Sequence, residues 1–113
     1  MPDSSGLLKS NSLGGTLTVI SAVPCIVTSI RAANTTVADA YVQLFDSAVT
    51  AGLTLGTTIA DWWVLTDFGA GDVSVGDGLP TGGLTFTKGI VGASTTTVNG
   101  AVAATQHVRI GIK

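Results

Sequence analysis

Residues 105–112 alternate between apolar and polar positions: Val108, Ile110 and Ile112 share one parity, and Thr105, His107, Arg109 and Lys113 share the other. A period of two marks a strand buried on one face. In 37–46 the same alternation places Ala38, Ala40, Val42 and Leu44 on one face and Asp39, Tyr41, Gln43 and Phe45 on the other. Two aromatics on the second face predict a second covered surface. From Gly15 onward short Val-, Ile- and Thr-rich runs are punctuated by Gly, Pro, Asn and Asp, which predicts an antiparallel all-β domain. Further strands are expected at 16–21, 25–33, 57–66 and 84–93, with shorter ones at 73–75 and 96–98. Six to eight strands make a single β-sandwich. In 84–93, Leu84 and Phe86 alternate with Thr85 and Thr87 until Lys88-Gly89 breaks the phase ahead of Ile90, so a bulge at Gly89 is predicted to reset the face. The stretch 66–83, dense in Gly and Asp around Pro80, reads as a surface loop. Residues 1–13 follow neither a strand nor a helix period and read as an N-terminal arm, leaving 14–113 as the sandwich domain.

Composition narrows the function. A chain of 113 residues holds one domain. Charged residues make up 11%, against about 25% in ordinary soluble domains. Glu is absent, and the five cations, Lys9, Arg31, Lys88, Arg109 and Lys113, are scattered along the sequence. With a net charge of -2 and no basic stripe, direct binding of nucleic acid is not expected. No apolar run approaches the ~20 residues of a membrane helix, and the polar start lacks the pattern of a secretory signal, so a soluble, non-membrane protein is expected. Cys25, the only cysteine, excludes a disulfide within one chain. Hydroxyls supply most of the polarity at the outward positions. So few charges defend weakly against association, which predicts a surface largely occupied by other subunits, with strand edges paired or covered.

Catalytic constellations are thin. His107 falls on the polar face of the last strand, Cys25 reads as a buried structural thiol, and a Cys25–His107 dyad is the only nucleophilic pair available. Asp67, Asp72 and Asp77 recur at five-residue intervals, but without a calcium-loop spacing they read as turn residues, so neither a metal nor a cofactor is expected. Asn34-Thr35-Thr36 has the form of a glycosylation sequon and reads as a β-turn. Trp62-Trp63 is more informative, because neighbours on a strand face opposite ways and one of the two must point away from the core. Beside Tyr41 and Phe45, such a Trp would be a protein-binding anchor or a platform for a sugar ring.

The order of Ser29-Ile30-Arg31-Ala32-Ala33-Asn34, then Ala40-Tyr41-Val42-Gln43-Leu44-Phe45-Asp46, then Gly82-Gly83-Leu84-Thr85-Phe86-Thr87-Lys88-Gly89-Ile90-Val91 and Ser94-Thr95-Thr96 resembles small β-sandwich virion proteins of tailed bacteriophages. Capsid decoration, or cement, proteins are among them. The resemblance spans 15–113 and carries no catalytic motif. It implies a jelly-roll or related sandwich seated on the virion surface, binding the major capsid protein as an oligomer, commonly a homotrimer. Contacts are then expected from the arm, through Ser4, Leu7, Leu8 and Leu13, and from Tyr41, Phe45, Trp62 and Trp63. The rival reading is a carbohydrate-binding or structural module of a phage tail or fibre.

Overall fold

The computed structural model describes residues 7–113 except 35, 37, 68, 76 and 77, with side chains for all of these but 7–11, 70 and 72. The described residues form nine strands and no helix: β1 (Leu7–Leu13), β2 (Thr18–Ser21), β3 (Cys25–Asn34), β4 (Ala40–Asp46), β5 (Trp62–Thr66), β6 (Ala70–Ser74), β7 (Leu84–Phe86), β8 (Ile90–Thr95) and β9 (Gln106–Ile112). Sheet A runs β1-β9-β3-β6, with β7 also paired to β3, and sheet B runs β2-β8-β4-β5. All pairings are antiparallel. The ten-residue β3 carries β7 on Cys25–Val27 and β6 on Arg31–Asn34, end to end along one side. With β7 set aside, the chain changes sheet at every step from β1 to β9 except between β4 and β5, which stay together in sheet B. That winding gives the two four-strand orders of a jelly roll.

Alternation explains the core. Val108, Ile110 and Ile112 of β9 are buried with Val27, Ile30 and Ala32 of β3, and face Val42 and Leu44 of β4 across the sandwich. The second covered surface expected behind β4 is present: Phe45, Val91 and Ala60 form a smaller cluster on the outer side of sheet B, beneath Leu17, Leu53 and Leu55. The 47–61 loop lies over it, held by Ala60 N–H donating to Asn99 Oδ1 (2.9 Å) and Asp61 N–H donating to Leu44 O (3.0 Å). Covered on both sides, β8 is buried throughout.

Several expectations are corrected. Half of the expected arm is a strand: β1 pairs with β9 in register from Leu7↔Ile112 to Leu13↔Gln106, and Leu13 is 0% exposed in the main core. The Lys-Ser-Asn-Ser centre of this segment hid the strand because β1 is an edge, and edges carry polar and charged residues that discourage further pairing. The segment 84–93 is two strands in different sheets, so Gly89 marks a crossover rather than a bulge within one strand. A Cβ on Gly89 would collide with Ser21 O and stand 3.0 Å from Ala48 Cα, which leaves room only for glycine. Gly83, just before β7, is likewise fixed by φ +98° and by Val27 O, 2.6 Å from where its Cβ would lie. The 66–83 segment contains β6, 57–61 belong to the loop over Phe45, and 96–98 form a turn closed by Thr96 N–H donating to Val102 O (2.9 Å).

Polar side chains are buried on both sides of sheet B. Gln106 shares the inward parity of Val108 and donates to Ser94 Oγ (2.9 Å), which donates in turn to Ala104 O. Gln43 donates to Thr95 Oγ1 (2.6 Å) and Gly100 O (3.3 Å), tying the 96–104 segment to sheet B.

Candidate interaction surface

The free edge of sheet B, at β5, exposes an aromatic and an aliphatic side chain side by side, Trp63 and Leu65. β5 pairs with β4 in the register Tyr41↔Leu65, Val42↔Val64, Gln43↔Trp63. Trp62 and Val64 therefore turn inward, half-buried against the core, while Trp63 and Leu65 turn outward. Trp63 is 48% exposed and meets Tyr41 edge to face, ring centroids 5.9 Å apart at 61°. Of the four aromatics expected on this surface, Tyr41 and Trp63 come together there. Trp62 belongs to the core side. Phe45 is corrected outright: at 1% exposure it lies under the 47–61 loop and offers nothing to a partner. The parity that exposes Trp63 and Leu65 extends to Asp61 and Asp67, both exposed, and Asp39 precedes Tyr41 by two residues. The aromatic patch is thus bracketed by carboxylates.

Beside it, the open side of the sandwich between β5 and β6 forms a groove of about 450 Å³, lined by Val64, Leu65, Thr66, Asp67, Val73 and Val75 among others. Thr66 Oγ1 is buried there without a hydrogen-bond partner.

The outer face of sheet A has the opposite charge. Arg31 stands directly across from Arg109, and His107 across from Ala33. Lys113, exposed at the end of β9, exchanges backbone hydrogen bonds of 2.9 Å with Ile26. Cations that look scattered in the chain are therefore gathered by β3 and β9. The sequence signal for this was available: no Lys or Arg lies between Arg31 and Lys88, whereas six of the seven Asp do.

The remaining candidates separate. Register places His107 eight residues along β3 from Cys25, about 25 Å away at strand rise, and Cys25 is buried, so the two form no dyad. No group of three or more His, Cys, Asp or Glu able to hold a metal occurs among the described residues, and Asp77 and the Asp72 side chain lie outside them. Ser4 and the side chains of Leu7 and Leu8 also lie outside the described residues. Asn34 is fully buried, and its Nδ2 donates to Ala38 O (3.0 Å) and Thr66 O (3.1 Å), so the sequon nitrogen is engaged in holding a turn. The Asp46 carboxylate closes the turn before the crossover, accepting from Lys88 N–H (2.9 Å), Thr87 Oγ1 (2.9 Å) and Thr87 N–H (3.2 Å). Partial burial pushes its pKa up, but these donors outweigh it and hold the carboxyl below its ordinary value.

Comparison of the chain with protein-family models, with curated proteins and with solved structures found no match.

Proposed function

We propose that this chain is a non-enzymatic structural protein of a tailed-phage virion, specifically a capsid decoration protein that binds the assembled lattice of the major capsid protein and stabilises it. The observation that carries the reading is the Trp63–Tyr41–Leu65 patch, where an exposed Trp packs edge to face on Tyr41 at the free edge of sheet B. Aromatic side chains of this kind anchor protein interfaces, because they bury large area at small entropic cost. Jelly-roll winding is used by viral capsid domains, which agrees with the resemblance in sequence. The mechanism is mass action: a protein that binds only the assembled lattice stabilises it by its binding free energy, repeated over many copies.

The test is cosedimentation of the full chain with purified capsids stripped of accessory proteins, followed by heating. Saturable binding and a raised disruption temperature are expected, with occupancy reduced at least about ten-fold by Trp63→Ala while the fold is retained. Absence of binding to any capsid contradicts the reading. Lectin domains also use the jelly roll, and Trp63 stands between carboxylates at Asp61 and Asp67, so a sugar-binding module of a tail or fibre is the second reading. Glycan binding that Trp63→Ala abolishes, with no effect on particle occupancy, selects it.

A further inference from the structure

The two broad faces of the sandwich are complementary to each other. The outer face of sheet B presents Trp63, Tyr41 and Leu65 bracketed by exposed Asp39, Asp61 and Asp67. The outer face of sheet A presents Arg31 and Arg109 at one register position, with His107 and Lys113 along the same strand. Arg31, His107, Arg109 and Asp39 also make interactions within the chain, and Asp61 Oδ2 accepts from Asp46 N–H (2.6 Å), so the contrast between the faces is in the formal charges of the described residues they carry. Guanidinium groups suit a surface of this composition. They lie flat on Trp and Tyr faces and pair with carboxylates at the rim, and they desolvate more readily than an ammonium. The molecule measures 40 × 32 × 23 Å, so each broad face exceeds the about 800 Å² per partner of a standard interface.

We propose that the occupant of the aromatic patch is a second copy of this chain, docked front to back, with its Arg31–Arg109 face on the acidic, aromatic face of sheet B. The contact joins two different surfaces, so it leaves one of each open at the ends of any row. It propagates until rotation between neighbours closes a ring. A two-fold pairing of identical faces would set Asp against Asp or Arg against Arg, which charge opposes. The inference rests on the reading of the chain as a subunit of an assembly: it assigns the aromatic patch to the joint between copies, so that the loss of capsid occupancy expected for Trp63→Ala follows from the loss of multivalent binding by the joined copies.

The experiment is sedimentation velocity on the full chain across concentration, at about 50 mM and about 500 mM salt, with two double variants, Arg31→Glu/Arg109→Glu and Asp61→Lys/Asp67→Lys. The parent is expected to self-associate and to weaken with salt. Each reversed variant, its fold checked by circular dichroism, is expected to lose association by more than about ten-fold. An equimolar mixture of the two is expected to recover complexes containing both in equal amounts, because each then offers the face the other has lost. A parent that stays monomeric, association indifferent to both reversals, or a mixture that fails to recover overturns the front-to-back contact. Capsid cosedimentation is measured separately, so a chain that binds capsids as a monomer defeats this inference and leaves the proposed function standing.

Discussion

Replacing Leu13 by Ala separates a strand from an arm. Leu13 ends β1, is 0% exposed, and reaches between the sheets toward Gly92, where a Cβ would stand 3.3 Å from its Cδ1 and 3.4 Å from Leu44 Cδ2. Truncation to Ala removes buried methyl and methylene groups and leaves a cavity between two sheets whose backbones are tied by ladders, so little collapse is available. The expected loss is about 3 kcal/mol, within the range of buried Leu→Ala changes. For a domain of this size that is a large share of the about 5–15 kcal/mol total, and corresponds to a fall of about 10–15 °C in melting temperature. Ser12→Ala, one residue earlier and exposed, is the control and should change stability by no more than about 0.5 kcal/mol. Thermal unfolding followed by circular dichroism and by differential scanning calorimetry reads both. A Leu13→Ala protein melting within about 2 °C of the parent would show that β1 is not integral to the sandwich.

Gly89→Ala places a methyl against Ser21 O and Ala48 Cα, backbone atoms that cannot rotate away, and should cost about 2 kcal/mol or more by chemical denaturation. Asp46→Asn should matter in a pH-dependent way. The carboxyl is held below its ordinary value of 3.8, so its contribution is complete above that value and is lost as pH falls through the depressed value in the folded state. The parent's stability advantage over Asp46→Asn, measured by urea unfolding, should therefore be constant near neutrality and shrink in acid; a difference that grows in acid contradicts the assignment. Ser94→Ala removes the acceptor of buried Gln106 and the donor to Ala104 O, and should cost about 1–3 kcal/mol, with loss of amide protection at Ala104 in hydrogen exchange.

Strands whose two faces meet different environments were legible in the sequence. The parity of Val108, Ile110 and Ile112 fixed β9, and the aromatics opposite Val42 and Leu44 announced the layer that closes over Phe45. What lay beyond reach depended on tertiary context. A polar edge strand such as β1 has no apolar period to detect; it is held by the β9 ladder and, among its described side chains, by the buried Leu13. Gly89 broke the phase visibly, yet only the pairing partners reveal that the chain changes sheets there. Gln43, Ser94 and Gln106 look outward by residue type and are buried because each is hydrogen-bonded in place. Trp62-Trp63 required one outward ring, and the β4 register decided which. The joining of Arg31 to Arg109, 78 positions apart in the chain, followed from the β3–β9 ladder alone.

The most direct measurement is the position of this chain on intact virions, by electron microscopy of particles labelled with an antibody to the folded domain. A regular array of label over the head is predicted. Particles that carry no label contradict the account, and label confined to tails or fibres transfers the protein to the sugar-binding alternative.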